Sequence, residues 1–269
     1  MRLRALAKYV VYNFVPGKKG SLPYFGTPIY FEPGSILARE LTLRGFFEPD
    51  IVQAIRRFVK PGLMIDVGAN VGLMAAPALH QLPGLQCLSF EPNADVVRYL
   101  EQSAAGPYRD RWTIRRQAVA DKPGHTSFAV TEAADSLFQH IEAQGESGDI
   151  EVTTIDREWT ALGRPVVSLL KIDVEGAEGK VFAGAAEMLS ACRPVVVTEW
   201  YQDYLDRFET VGAEILSIAA RYRYALYTIP GYVPTRTATD LAVHMKEYSN
   251  FLLVPNADLG AGGADGMRQ

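Results

Sequence analysis

The chain has 269 residues, of which 48% are hydrophobic and 22% charged, and its formal net charge at pH 7 is −4. This length accommodates one large α/β domain with additional elements, and the composition is that of a globular protein. The acidic balance argues against a broad nucleic-acid-binding surface, and no apolar run approaches the ~18 residues of a membrane-spanning helix. Cys87 and Cys192 have neither zinc-ligand spacing nor a disulfide framework, which predicts a cytoplasmic location.

The first 20 residues form the basic part of the chain, with apolar residues interleaved among the positive charges. They lack the long apolar core and the small-residue cleavage site of a secretory signal. The pattern favours a helix that packs on the domain or on a second subunit, and peripheral membrane contact is the alternative. The basic residues are Arg2, Arg4, Lys8, Lys18 and Lys19.

An N-terminal lead-in precedes the main domain. Glycine and proline among aromatic residues predict a small hairpin or irregular segment over 21–33, and helical patterns follow at 36–44 and 49–58. Pro49 fits the first position of the second helix. The sequence therefore predicts three segments, which are a lead-in at 1–60, a main domain at 61–258 and a flexible tail at 259–269.

A strand followed by a glycine-rich turn begins the main domain. Residues 63–67 predict a buried parallel strand, and a helix is expected from Val71 to Leu79. Between them, Gly68 and Gly72 allow a ligand to approach the backbone, where a Cβ would block it. Such a turn places backbone N–H groups and a helix N-terminus beside the ligand.

The second strand, residues 86–90, ends in Glu91, Pro92 and Asn93. A carboxylate about 20 residues after a glycine turn is where a doubly wound fold accepts hydrogen bonds from a ribose diol. The turn reads D-x-G-x-N-x-G, whereas a dinucleotide site requires G-x-G-x-x-G. The Asp66 carboxylate would repel a pyrophosphate but suits the amino group and sulfonium of S-adenosylmethionine, so we expect the latter cofactor.

Further apolar strands alternate with helices along the rest of the chain. This alternation predicts an α/β fold of the Rossmann-like type, with one open, doubly wound and mainly parallel sheet that carries helices on both faces. We expect helices at 94–103, from after Glu178 to about Ser190, and at 201–220. We expect strands at 112–120, 126–130, 150–155, 166–172, 194–198, 224–229 and 250–254.

Four acidic residues follow or end these strands: Asp66, Glu91, Asp173 and Glu199. Ligands of open α/β sheets bind outside the carboxyl ends of the strands, at the switch in strand order. The four positions therefore predict one shared active site.

Several blocks closely resemble the FkbM family of S-adenosylmethionine-dependent methyltransferases. They are DVGANVG at 66–72, FEPN at 90–93, QAVAD at 117–121, LLKIDVEGAE at 169–178 and RPVVVTEW at 193–200, with GFFEP at 45–49 similar to the family's lead-in. The resemblance implies a class I methyltransferase fold whose seven-stranded sheet has an antiparallel last strand. It also implies O-methylation of hydroxyls on sugars or secondary metabolites.

The resemblance also assigns cofactor-binding positions. The methionine end would contact Asp66, Gly68, Ala69, Asn70 and Gly72. The ribose would contact Glu91, with Pro92 and Asn93 beside it, and Ala118 and Asp173 complete the set. The helix after FEPN departs from the family pattern, because it carries Glu101, Gln102 and Ser103 where related sequences often have asparagines.

For the chemistry, we expect Asp173 and Glu175 to act as the base or as orienting carboxylates, with Glu199 in support. Glu175 has an alternative role, which is to stabilise a helix N-terminus. A Mg²⁺ ion held by these carboxylates is a second alternative and is not favoured. His140 is a candidate base, although a surface histidine is the simpler interpretation, and His80, His125 and His244 show no metal-ligand spacing.

The predicted activity is O-methylation of a small-molecule acceptor, such as a sugar, a glycolipid or a polyketide-like compound. An N-methyltransferase would use the same cofactor half with a different acceptor pocket. A non-catalytic S-adenosylmethionine-binding scaffold would retain the fold but lose the acids at the strand ends. A homo-oligomer is compatible with the sequence, and no nucleic-acid partner is expected.

Overall fold

The computed structural model describes residues 3–15, 20–127, 149–206 and 212–256. Its centre is a seven-stranded sheet with the strand order β11-β12-β10-β9-β3-β4-β5. β12 runs antiparallel to both of its neighbours, and the other strands share one direction. The predicted α/β class and the antiparallel last strand are confirmed. The strands are β3 (Leu63–Val67), β4 (Gln86–Phe90), β5 (Trp112–Arg115), β9 (Val167–Ile172), β10 (Val195–Glu199), β11 (Tyr224–Ile229) and β12 (Asn250–Pro255).

Side chains of the central strands alternate between two hydrophobic cores, one on each face of the sheet. Met64 and Leu169 belong to the first core, and their neighbours Ile65 and Leu170 belong to the second. This period of two is the expected result of burying a pleated sheet on both faces. Helices α4 (Ala75–Gln81) and α5 (Ala94–Ala104) cover the first face, and the second is covered by α6 (Ile155–Ala161), α7 (Glu178–Ala183), α8 (Ala186–Cys192), α9 (Gln202–Leu205), α10 (Glu214–Tyr222) and α11 (Ala238–His244).

The lead-in packs against the first face as part of the same core. It contains α1 (Leu3–Phe14), a hairpin of β1 (Ser21–Tyr24) and β2 (Thr27–Tyr30), α2 (Ile36–Arg44) and α3 (Pro49–Phe58). Ile29 and Phe31 are fully buried in the core that contains Met64. The hairpin and the two later helices agree with the sequence prediction.

The helix after β3 begins at Ala75 and not at Val71, which corrects the prediction. Asn70 has a φ of 51° and Gly72 a φ of 95°, and neither angle is compatible with a right-handed helix. The N–H of Gly72 donates instead to the carbonyl of Ala69, which closes a tight turn. The segment between strand and helix is therefore a longer loop.

Other predicted elements are divided in the structure. The expected strand 112–120 splits into β5 and β6 (Ala118–Val119), because β6 pairs with β8 (Ile150–Thr153) in a separate sheet that also contains β7 (Gly124–Thr126). β8 ends before Ile155, since Thr154 caps α6. The helix expected from after Glu178 to about Ser190 becomes α7 and α8, which separate at Gly184, where a Cβ would lie 2.0 Å from the carbonyl oxygen of Ala120.

The expected helix at 201–220 is represented by α9 and α10, and residues 207–211 lie outside the described part. α11, between the last two strands, was not predicted. His140 and the predicted tail at 259–269 also lie outside the described residues. Among the helices that the structure describes, none combines the length and apolar character needed to cross a bilayer.

Candidate active site

The glycine loop after β3 has no room for a side chain at its two glycines. The N–H groups of Gly68 and Ala69 both donate to the carbonyl of Phe90, which ties the loop to the end of β4. A Cβ on Gly68 would lie 1.8 Å from the carbonyl oxygen of Asp173, and one on Gly72 would lie 2.4 Å from the Trp112 ring. Both glycines also have positive φ, so the loop needs glycine for conformation and for space.

Glu91 is held at the end of β4 by two backbone amides. The N–H of Asn70 donates to Oε2 and the N–H of Asn93 donates to Oε1, each at 2.9 Å. Burial raises the pKa of Glu91 to about 7, although these hydrogen bonds oppose the shift. Each carboxylate oxygen keeps a second acceptor position. The group is therefore oriented to accept further hydrogen bonds from a diol.

The neighbours of Glu91 have structural roles. The Asn93 side chain caps α5 by accepting a hydrogen bond from the Asp95 N–H at 2.9 Å. Ala118 is buried in β6, in the small sheet and not in the central one. The adjacent Gln117 Oε1 and the Asn70 Oδ1 are buried atoms without a hydrogen-bond partner in the described structure. A ligand with hydrogen-bond donors would satisfy such acceptors.

Asp66 is located in a polar row that crosses three neighbouring strands. Asp66 on β3 is in register with Ser89 on β4 and with Lys171 on β9. Ser89 Oγ is 3.5 Å from Asp66 Oδ2, and the Trp112 indole donates to Ser89 Oγ at 3.0 Å. The Asp66 carboxylate is fully buried in this row, so it does not point into the glycine loop as the sequence interpretation assumed.

Lys171 connects this row to the loop and to the strand ends. Its Nζ donates to the Gly68 carbonyl at 3.0 Å and to Asp173 Oδ2 at 3.1 Å, and it lies 3.8 Å from Asp66 Oδ1. Burial alone would lower the pKa of this ammonium, but the charges of Asp173, Asp66 and Glu48 raise it above its usual value. Lys171 therefore stays charged and fixes both the loop and Asp173.

The three predicted catalytic carboxylates come together at the carboxyl edge of the sheet. Ligand oxygens of Asp173, Glu175 and Glu199 all lie within 4.8 Å of one another, and all three residues are half-buried. The pKa of Glu199 is raised to about 9 by burial and by the like charges of the other two and of Glu178 and Glu48. The same oxygens have the spacing for a metal ion. This spacing is compatible with their alternative role as Mg²⁺ ligands.

Glu48, from the lead-in, is a fourth carboxylate of this edge. It accepts a hydrogen bond from Asn250 Nδ2 at 3.3 Å, and its pKa is raised by burial and by the charge of Asp173. Neither Glu48 nor Asn250 was predicted as a site residue. The signal for Glu48 was present, because it lies within the GFFEP block.

Glu178 was also missed, although it is part of the KIDVEGAE block. Its Oε1 accepts the N–H of Val174 at 3.0 Å and that of Gly176 at 3.2 Å. These bonds hold a turn in which Glu175 has a φ of 59°. Burial raises the pKa of Glu178 to about 7. Its role is to shape the turn that presents Glu175.

Three residues with left-handed backbone conformation surround the site. They are Glu48, Asn70 and Glu175, with φ values of 42°, 51° and 59°. Such conformations are unfavourable for residues with a side chain and cluster at functional sites. Backbone strain, buried acids and the glycine loop therefore coincide at one edge of the sheet.

The strand order, the antiparallel β12 and the glycine loop at the end of β3 together define a class I methyltransferase fold. Comparison with known families agrees, since the methyltransferase FkbM domain matches residues 66–226, more than half of the chain. The chain belongs to the FkbM methyltransferase domain family. Methyl transfer is therefore its class of activity.

Individual relatives are distant. The 2-O-methyltransferase NoeI of Sinorhizobium fredii is 24% identical over 206 residues, which cover 66% of this chain and 82% of NoeI. The AMB antimetabolite synthetase AmbE of Pseudomonas aeruginosa is 25% identical over 174 residues, so the match covers 50% of this chain but 8% of AmbE. The crystal structure of methyltransferase FkbM from Methylobacillus flagellatus superimposes with a TM-score of 0.48 and 16% identity, over 80% of this chain and 52% of that one.

Proposed function

We propose that this chain is an S-adenosylmethionine-dependent O-methyltransferase acting on a hydroxyl of a sugar or secondary metabolite, such as a glycolipid or polyketide-like acceptor. The observation that carries the proposal is the convergence of Asp173, Glu175 and Glu199 next to the glycine loop that follows β3. The similarity to NoeI, a 2-O-methyltransferase, supports transfer to oxygen.

The residues present fit this cofactor. The unpartnered, buried Asn70 Oδ1 would accept a hydrogen bond from the amino group of the methionine end. Glu91 would accept hydrogen bonds from the ribose hydroxyls. When bound, S-adenosylmethionine supplies an electrophilic methyl group on a sulfonium.

The carboxylate cluster would receive the proton of the acceptor hydroxyl. Because the oxygens of Asp173, Glu175 and Glu199 are within 4.8 Å of one another, one acceptor hydroxyl can contact two of them. Lys171 holds Asp173 in place, and the turn fixed by Glu178 holds Glu175. A positioned carboxylate base contributes about 10²–10⁴-fold to such a transfer.

N-methylation of a small amine is the second candidate, since a pocket rich in carboxylates attracts an ammonium. Such an acceptor must lose its proton before methyl transfer, and Glu199, with its pKa of about 9, is poised to exchange protons with an amine. Matched acceptors that differ only in hydroxyl or amine distinguish the two activities. Transfer to the hydroxyl compound, with the amine inactive, supports the proposal.

Calorimetric titration is the first test of the proposal. We expect saturable binding of S-adenosylmethionine and of S-adenosylhomocysteine and no binding of NAD. Absence of binding to both nucleosides would contradict the proposal and favour the scaffold interpretation. The next step is a screen of hydroxylated acceptors with isotope-labelled methyl donor, with and without EDTA. We expect turnover without added Mg²⁺. Loss of turnover in EDTA would instead identify the carboxylates as metal ligands.

Variants then test the catalytic assignment. Glu175→Gln should reduce turnover at least ~100-fold with near-normal cofactor affinity, because the change removes a proton acceptor and keeps the shape of the side chain. Glu101→Gln is the matched control, since this glutamate is exposed on α5. Equal turnover of the two variants would move the base to another carboxylate.

A further inference from the structure

We propose that α1 is an interfacial helix that docks this protein on an anionic lipid surface. The observation is an apolar helix face that remains exposed after the helix has packed. Val10, Val11, Phe14 and Val15 are 45%, 37%, 59% and 38% exposed. Large apolar side chains grouped on one exposed helix face mark an interaction surface.

The opposite side of α1 is tied to the domain, so the exposed face has a fixed position. Tyr12 packs against the core of the lead-in, and its carbonyl accepts the N–H of Gly20 at 2.8 Å. At 100° per residue, Val10, Val11 and Phe14 lie together on the side away from Tyr12. The helix therefore uses one face for the domain and presents an apolar one to its surroundings.

The distribution of charge points to a bilayer with anionic headgroups. The first 31 residues contain five Lys and Arg and no Asp or Glu, whereas the remainder of the chain carries a formal charge of −9, since the whole chain has −4. Lys8, on the helix itself, is exposed. An apolar face with flanking basic residues is the pattern of helices that lie in the membrane interface.

The same segregation of charge would orient the protein. The basic segment is attracted to an anionic surface, whereas the acidic remainder is repelled by it. A helix of 12 residues would be ~18 Å long and would lie in the plane of the interface. A peripheral, reversible attachment follows from these properties.

Vesicle co-sedimentation of the full chain tests this proposal. Vesicles of phosphatidylcholine with 30% phosphatidylglycerol should bind the protein, and binding to pure phosphatidylcholine should be at least about tenfold weaker. The double variant Val11→Asp/Phe14→Asp should lose at least about tenfold in binding to the anionic vesicles. Because both side chains are exposed, its melting temperature should not change.

Val166→Asp/Val243→Asp is the matched control, because these valines are 72% and 56% exposed elsewhere and the change in charge is the same. This control should keep most of the binding of the unmodified chain. Equal binding by both double variants, or equal binding to the two kinds of vesicle, would overturn the proposal. The unmodified chain could instead self-associate without lipid, and only Val11→Asp/Phe14→Asp could abolish this association. That result would assign the face to a second copy of the chain.

Discussion

Replacing Lys171 with methionine removes one charge from the interior while keeping a long, unbranched side chain. In the native protein its Nζ lies 3.8 Å from Asp66 Oδ1, 3.1 Å from Asp173 Oδ2 and 3.0 Å from the Gly68 carbonyl. The side chain of Asp66 is 1% exposed and that of Asp173 is 34% exposed. The substitution therefore leaves the buried Asp66 carboxylate without its nearby positive charge and the Gly68 carbonyl without its donor.

The expected loss of stability follows from the burial of Asp66. Removing one partner of a buried ion pair destabilises a protein by about 3–5 kcal/mol, because the remaining charge is uncompensated. For a domain of this size, each kcal/mol corresponds to roughly 2–4 °C in melting temperature, so Lys171→Met should melt roughly 10 °C lower. Asp173 adds little to this loss, since water reaches it.

The loss should also depend on pH. Without Lys171, burial raises the pKa of Asp66 further above its unfolded value of ~4. Above that pH the unfolded state binds fewer protons than the folded state, so the free energy of unfolding falls as pH rises. The gap between Lys171→Met and the unmodified protein should therefore be larger at pH 8 than at pH 5.

Urea unfolding at the two pH values provides the measurement, with Lys122→Met as the control because this lysine is exposed. The double variant Asp66→Asn/Lys171→Met should recover at least ~1 kcal/mol at pH 8, since it removes the buried charge. If Lys171→Met and Lys122→Met unfold within ~0.5 kcal/mol of each other, the buried pair does not stabilise the fold as argued.

Three further outcomes are expected. Gly68→Ala should destabilise the protein by several kcal/mol in urea unfolding, because the new Cβ would overlap the carbonyl of Asp173. Gly45 has a similar φ but open space around it, so Gly45→Ala should cost only ~1–2 kcal/mol of stability. Equal losses in the two variants would refute the packing argument. S-adenosylmethionine should bind up to ~10-fold more tightly at pH 8 than at pH 6, because Glu91 has a pKa of about 7 and its ionised form accepts hydrogen bonds from the ribose hydroxyls. Calorimetry with Glu91→Gln should show weaker binding without this pH dependence. An unchanged pH dependence in this variant would exclude Glu91 as its source. Glu199→Gln should raise the free energy of unfolding at pH 8 by ~1 kcal/mol or more. The reason is that the raised pKa of Glu199, about 9, makes this group lower the stability as pH rises above ~4.5. A stabilisation by Glu199→Gln at pH 8 no larger than that at pH 5 would contradict the raised pKa.

The fold could be predicted where local pattern and tertiary structure agree. β3 and β9 are buried on both faces, and their apolar runs identified them within one residue. Pro49 at the start of α3 is a local signal that the structure retains, and the structure adds a Ser35 cap at the start of α2 and Gly45 at its end. In each case the residue that sets the boundary lies inside the element or next to it.

The failures arise where a distant contact sets the boundary. The helix expected to reach about Ser190 is interrupted at Gly184, and the carbonyl of Ala120 occupies the space beside this glycine. Likewise, β6 leaves the central sheet to pair with β8, more than 30 residues away in sequence. No periodicity within the segment contains this information.

The site residues divide in the same way. Glu91, Asp173 and Glu199 were proposed as site residues because carboxyl ends of parallel strands meet at one edge. Lys171 lies inside a strand, where a lysine looks like an exception to an apolar run. Its partners became evident only when register placed it beside Asp66, because a one-residue shift would have turned it to the other core.

The charge balance of this edge connects stability to binding. Glu91, Glu178 and Glu199 all have raised pKa values because burial disfavours their charge, and Lys171 compensates only part of the cluster. S-adenosylmethionine carries a sulfonium and an ammonium against one carboxylate, so its binding would supply the missing positive charge. A cation near these carboxylates favours their ionised forms. We therefore expect cofactor binding to release protons and to stabilise the fold more at pH 8 than at pH 5. If these carboxylates had only a structural role, holding like charges together at the edge of the sheet would bring no gain in stability.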